Sequence, residues 1–104
     1  MKRALRSSEA SRDVEEIVGY YSKYGLPAAN RFIDECEDRI RKIESMPNIG
    51  SPRFAIELDV PGLRLHPLKD FPHVIFYIER VAHIDIVRVM HASRDIFNVL
   101  LGMK

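Results

Sequence analysis

From residue 10 onward the apolar side chains Ala10, Val14, Ile17, Tyr21 and Tyr24 recur at spacings of four and three, the stripe of an amphipathic helix. Ser7 and Ser8 stand ahead of that stripe as hydroxyl N-caps, and Glu9 and Asp13 fall near the helix's positive end. Gly25 is a natural C-terminal cap and Pro27 a natural first helical residue. So short a link folds the next helix back antiparallel, as an αα-hairpin. The second helix is predicted over residues 27–45, with Ala29, Phe32, Ile33, Cys36, Ile40 and Ile43 facing inward. Its outer face places Glu35, Glu37 and Asp38 four residues before Arg39, Arg41 and Lys42, pairs worth about 0.2–0.5 kcal/mol each.

The run Met46-Pro-Asn-Ile-Gly-Ser-Pro52 then turns the chain. Phe54, Ile56 and Leu58 alternate with Ala55, Glu57 and Asp59, which predicts a short extended segment. Three strands follow, over residues 62–68, 74–79 and 84–90, rich in the Val, Ile, Phe and Tyr that suit a pleated surface. The middle one is apolar on both faces, as a central strand covered from each side would be. In the last, strict alternation puts Ile84, Ile86, Arg88 and Met90 on one face and Val87, Val89 and His91 on the other. Residues 2–6 predict a short basic edge strand, and Ser93 or Asp95 a cap for a final helical turn carrying Ile96, Val99 and Leu100. The pattern is α+β: an N-terminal antiparallel helical hairpin on a small antiparallel β-sheet, with a short C-terminal helix.

With 104 residues the chain is expected to form a single domain, residues 1–104. Sixteen basic residues balance fifteen acidic ones, so net charge gives no argument for nucleic-acid binding. No apolar run reaches the length of a membrane span, and the charged start has no apolar segment behind it to make a secretory signal. A lone cysteine cannot form an internal disulfide, which fits a reducing cytoplasm. Cys36 lies on the inner helix face without a cation to activate it, and reads as a small buried hydrophobe.

Candidate chemistry is confined to the sheet. All four histidines, His66, His73, His83 and His91, fall there, with Arg64, Lys69, Arg88 and Arg94. RNA cleavage needs a general base, a general acid and cations for the developing phosphorane charge, and these residues supply each type. Taken one at a time they are plainer. His66 and His73 flank turns and are expected to be exposed, while His83 sits in a turn and receives no role. His91, with Arg94 and Asp95, stands at a strand end. Arg88, a cation on an apolar strand, is expected to pair with Glu57, Asp59 or Asp85. No two histidines share metal-ligand spacing, so neither metal nor other cofactor is expected. Tyr20, Tyr21 and Tyr24 read as core and rim of the hairpin, and Phe76 and Tyr77 as side chains facing the helices. No phosphate-cradling glycine loop or nucleophile elbow is present.

In order and spacing the chain resembles the RelE/ParE superfamily, the toxin halves of bacterial type II toxin–antitoxin pairs. The resemblance rests on Ser8-Glu-Ala10, Asp13-Val-Glu-Glu-Ile17 and Tyr20, then Gly25, Ala29 and Phe32, then Pro47, Gly50 and Pro52. It continues through Pro61-Gly-Leu-Arg64, Phe71-Pro-His-Val-Ile-Phe-Tyr77, Ile86-Val-Arg-Val-Met-His91 and Arg94-Asp95, and is strongest to the ParE branch. That branch implies a poison of DNA gyrase, blocking replication without catalysis, held in check in the cytoplasm by a ParD-like antitoxin across its apolar grooves. It implies no membrane partner and no direct DNA binding by the toxin alone. Target-binding candidates are then Arg64, Lys69, Arg88, His91 and Arg94. The RelE branch implies instead a ribosome-dependent endoribonuclease of messenger RNA, for which Arg64, His66, His73, His91 and Arg94 would be the catalytic set. That set departs from the RelE pattern, which has lysines at 64 and 66, an arginine at 73, and an arginine and then a tyrosine near Ala92 and Phe97–Asn98. A third reading is a degenerate toxin retained as a binding module for its antitoxin.

Overall fold

In the computed structural model, which describes residues 1–101, Ser7 caps the first helix: its hydroxyl oxygen accepts the Ala10 N–H at 3.0 Å. That helix, α1 (Ser8–Ser22), follows β1 (Ala4–Arg6) and precedes α2 (Leu26–Ser45). Gly25, at φ +111°, makes the reversal between the two helices, a conformation that a side chain there would strain. Phe32, Cys36 and Ile43 of α2 are almost fully buried beside Ala10 and Val14 of α1. Each large side chain so buried contributes about 1.5–3 kcal/mol, against a few tenths for a surface ion pair. The hairpin is held by its apolar stripes.

The outer face of α2 differs from expectation. Its acid–base contact among the described residues is Asp38–Arg41, three apart. Glu35 is drawn away to the turn before the central strand, accepting the Lys69 N–H at 2.6 Å and the Asp70 N–H at 3.0 Å. Two otherwise unserved backbone donors outcompete a solvated pairing with Arg39. Tyr24 also leaves its predicted place. It lies beyond the end of α1 and is 70% exposed.

After α2 the chain forms α3 (Arg53–Glu57) where alternation suggested an extended segment. A helical turn places Phe54, Ala55 and Leu58 on one side, with the Leu58 N–H donating to the Phe54 carbonyl at 3.0 Å and Ile56 left in solvent. Leu58 is thereby buried against a face of the sheet that the short strand would not have covered. β2 (Leu63–Pro67), β3 (His73–Glu79), β4 (Ile84–His91) and α4 (Ile96–Leu101) complete the chain. Asp95 caps α4, its carboxylate accepting the Asn98 N–H at 3.3 Å.

The sheet order is β1-β4-β3-β2, antiparallel except for β1, which pairs parallel with β4. β3 is central, and every residue from His73 to Ile78 is buried. One face packs Ile75, Tyr77, Ile84, Ile86 and Val89 against the hairpin. The other packs Val74, Phe76, Ile78, Val87 and Met90 under Leu58 and Leu100. Strict alternation along β4 fails because Phe76 pairs with Arg88 while Tyr77 pairs with Ile86. The extra residue is a bulge, so Met90 lies opposite to Ile84 and Ile86; along β3 alternation is unbroken, and Phe76 faces away from the hairpin, against Phe54 of α3.

A latch ties the 46–52 turn to the sheet. The Tyr77 hydroxyl donates to the Pro47 carbonyl and accepts the Gly50 N–H, both at 2.8 Å. At residue 50 a Cβ would lie 2.7 Å from that hydroxyl and 2.8 Å from the Leu65 carbonyl, so only glycine fits. No helix among the described residues is long and apolar enough to cross a membrane.

Candidate functional site

β3 begins where β4 ends, and their pairing sets His73 directly opposite His91. The two rings lie 5.4 Å apart, edge to face. His73, expected to be exposed, is only 6% exposed. The Pro72 turn feeds it inward, and it packs against Phe32 at 5.3 Å and Tyr21 at 6.2 Å between ring centroids, with Phe71 against both of those. Burial first, and the neighbouring His91 second, push its pKa down to about 4, so the ring is neutral at physiological pH. Its Nδ1 is buried with no hydrogen-bond partner among the described residues.

His73 and His91 form the floor of a groove of about 620 Å³ between the hairpin and this end of the sheet. α1 contributes Glu16, Ile17, Tyr20 and Tyr21, and the hairpin turn Tyr24. α2 adds Ala28 and Arg31. The Tyr20 and Tyr24 rings lie 5.6 Å apart with hydroxyls at 3.5 Å, a contact that raises the Tyr20 pKa. Exposed aromatic surface thus runs from Tyr24 through Tyr20 and Tyr21 to the buried His73. Sequence reasoning missed Tyr24, Arg31 and Glu16 as groove residues. The signal present was three tyrosines within five positions, too many for one inward stripe.

The other candidates lie elsewhere. Arg64, half-buried on β2, donates from Nη1 to the Gly50 carbonyl at 2.6 Å and the Asn48 carbonyl at 3.3 Å, bracing the same turn as Tyr77. His66 is half-buried with an unpartnered Nε2, and burial, then Arg39 and Lys42, lower its pKa. Lys69 stands exposed in the turn held by Glu35, in a second, polar depression. Arg88 pairs with Asp13 of α1 instead of Glu57, Asp59 or Asp85. Its Nε and Nη2 donate at 2.7 and 2.8 Å, and Asp13 also accepts the Val89 N–H at 3.0 Å. The hydrogen bonds to Asp13 raise the Arg88 pKa. Arg94 is exposed near this pair, beside Arg12 and Glu16. The predicted set is therefore spread over the fold: His73 and His91 share the groove, Arg88 and Arg94 lie together beside Asp13, and Arg64, His66 and Lys69 each stand elsewhere.

Chemically the groove offers two imidazoles, tyrosine hydroxyls, the Glu16 carboxylate and the Arg31 guanidinium on a mainly apolar wall. No group of three His, Cys, Asp or Glu that could hold a metal ion occurs among the described residues. Cys36 is buried, and desolvation pushes its thiol up to about 11.

A family model described as the ParE toxin of the type II toxin–antitoxin system parDE matches residues 5–96. A comparison with curated proteins gave no match. Among solved structures, a chain from the chromosomal ParDE toxin–antitoxin system of P. aeruginosa is similar, with a TM-score of 0.76 and 20% identity. That match covers 89% of this chain and 98% of the other, and it bears out the α+β architecture.

Proposed function

This chain belongs to the family of ParE toxins of type II toxin–antitoxin systems, and from that premise we propose that it arrests growth by binding DNA gyrase, without chemistry of its own. A ParD-like antitoxin would neutralise it, all 104 residues serving as one toxin domain. The observation that carries this reading is the commitment to the fold of Arg64 and Arg88, the two candidate cations borne on strands. Arg64 is occupied by two turn carbonyls and Arg88 by a buried carboxylate. Releasing Arg88 to a phosphate would leave Asp13 buried and unpaired, at a penalty of several kcal/mol. Lys69 and Arg94 stay exposed but lie apart from each other, while the groove offers a surface rich in tyrosine with Arg31 on its wall, the residue types that dominate protein–protein hot spots. A cytoplasmic location fits the free thiol of Cys36.

One observation favours a ribosome-dependent endoribonuclease: His73 and His91 share a groove with Arg31. Against it, a ring with a pKa near 4 is a weak base and carries no proton to donate as an imidazolium at pH 7. Induction in a bacterial host, with DNA and protein synthesis followed separately, separates the readings. DNA synthesis stopping first, with a DNA-damage response, supports gyrase as target. Translation stopping first, with messages cut within codons, overturns it in favour of the nuclease, and no arrest at all would leave a module that only binds its antitoxin.

A further inference from the structure

Between Tyr77 and Phe76 the ladder of β3 and β4 slips by one residue, and Val87 is left without a partner on β3. Before the slip, the even-numbered residues of β4 turn outward to β1. The Ile84 N–H donates to the Arg3 carbonyl and the Ile86 carbonyl accepts the Ser7 N–H, both at 2.9 Å. After it the odd-numbered residues turn outward, and the Val89 N–H donates to Asp13 at 3.0 Å. β1 has ended at Arg6, and the start of α1 takes its place along this edge. The Ser7 hydroxyl donates to the Val87 carbonyl at 3.0 Å, while Asp13 holds both the Val89 N–H and the Arg88 guanidinium.

Hydrophobic patterning does not select this register. A one-residue slip normally drives apolar side chains into water, and that penalty specifies a strand with one buried face. Here both faces are covered. Val89 packs towards the hairpin and Met90 under Leu58 and Leu100, each 1% exposed. Without the bulge the two would exchange faces, and both would remain in apolar surroundings. Arg88 would follow Ile84 and Ile86 in strict alternation and still face the hairpin. Val87 would regain a partner on β3. Two things would be lost from the observed arrangement. The Val89 N–H would turn inward to β3, out of reach of Asp13. His91 would leave the groove for the opposite face, and Met90 would come to lie across from His73.

We propose that β4 has two registers within reach, straight and bulged, and that Asp13 selects the bulged one by claiming the Val89 N–H, thereby setting His91 against His73 on the groove floor. Asp13 does not itself line the groove. It is a positioning residue, and the shape of the groove floor is decided by a contact made beside it. The lock works whatever target the chain binds.

Cross-strand Hα–Hα contacts in NMR spectra of the full chain read the register directly, because facing residues approach most closely where they exchange no ladder bonds. Contacts of His73 with His91 and of Ile75 with Val89 mark the bulged register. Contacts of His73 with Met90 and of Ile75 with residue 88 mark the straight one. The parent is expected to show the first pair alone, and the second pair in the parent would overturn the proposal outright. Asp13→Leu with Arg88→Met leaves no charge buried, so it keeps the fold while removing the lock. It should shift the ratio of registers towards the straight one by about tenfold or more, the worth of a hydrogen bond to a charged acceptor. The straight contacts then appear, and the Met90 methyl loses its contacts with Leu58 and Leu100. Asp13→Asn, whose side-chain oxygen still accepts the Val89 N–H, should keep the bulged contacts. A folded double variant with the parent's contacts only would overturn the proposal, as would an Asp13→Asn chain that slips as far as the double variant. Should the double variant fail to fold, a semisynthetic chain with the Val89 amide replaced by an ester lacks that one donor and keeps every side chain. An unchanged register there would be equally fatal.

Discussion

Asp13→Ala is expected to be the most damaging single polar substitution in this fold. The carboxylate is 7% exposed and accepts three hydrogen bonds, two from the Arg88 guanidinium and one from the Val89 N–H. Breaking a buried ion pair by removing one partner costs about 3–5 kcal/mol, because the other charge is left without compensation. Orphaning a buried backbone N–H costs about 1–3 kcal/mol when it stands alone. The two do not add in full, since the Arg88 side chain is 15% exposed and water can reach part of it. A loss of about 4 kcal/mol is expected, a large share of the roughly 5–15 kcal/mol that holds a domain together. At this chain length it corresponds to a fall in Tm of about 15–30 °C. Asp13→Asn, which keeps the shape and one acceptor, should lose about half as much. Replacing both partners by apolar residues, Asp13→Leu with Arg88→Met, should recover much of the loss, because no charge then remains buried. Urea unfolding followed by circular dichroism measures these three variants, and the single substitutions Asp13→Leu and Arg88→Met, against the parent. The reasoning fails if Asp13→Ala lies within about 1 kcal/mol of the parent, or if the double substitution is as costly as the sum of the singles.

Gly50→Ala should destabilise by about 2 kcal/mol or more, because the added methyl meets a backbone carbonyl and a buried tyrosine that cannot both yield; thermal unfolding checks this. Tyr77→Phe should lose about 1–3 kcal/mol in the same assay, the Gly50 N–H being left without its acceptor. Stability should fall as pH drops from about 6.5 to 4. The unfolded chain takes up a proton at His73 near 6.5, which the folded chain refuses until about pH 4, so the folded state loses about 2–3 kcal/mol across that window. His66 shifts in the same direction, and His73→Phe should flatten the profile measured by chemical unfolding at a series of pH values. Cys36, with its thiol near 11, should resist alkylation in the native protein at pH 8 and react promptly in denaturant, as mass spectrometry of iodoacetamide-treated samples would show.

The helical hairpin was legible from its periodicity between Ser7, Gly25 and Pro27, and the three strands from runs of Val, Ile, Phe and Tyr set between turn residues. α3 was not, since Phe54, Ile56 and Leu58 satisfy a period of two while Phe54, Ala55 and Leu58 satisfy a helical turn, and only the sheet face awaiting cover decides between them. The bulge in β4 was equally silent. Nothing in Ile-Val-Arg-Val shows that Asp13, 75 residues earlier, will claim both Arg88 and the Val89 N–H. The candidate site was half legible. His73 and His91 were picked out, but as a turn residue and a strand end, because their pairing depends on strand register. Arg64 and Arg88 looked available in one dimension and are committed in three. Tyr24, counted in the apolar stripe and read with Tyr20 and Tyr21 as core and rim of the hairpin, falls on the rim because α1 ends at Ser22.

Under the proposed function this toxin acts on its target by binding and not by cutting. Purified chain added to DNA gyrase and supercoiling substrate, with and without the antitoxin, tests it most directly, alongside a translating ribosome extract with its messenger RNA followed by primer extension. Loss of supercoiling or accumulation of cleaved gyrase–DNA complex, reversed by the antitoxin, is expected, with the messages intact. Undisturbed gyrase together with messages cut within codons would contradict it.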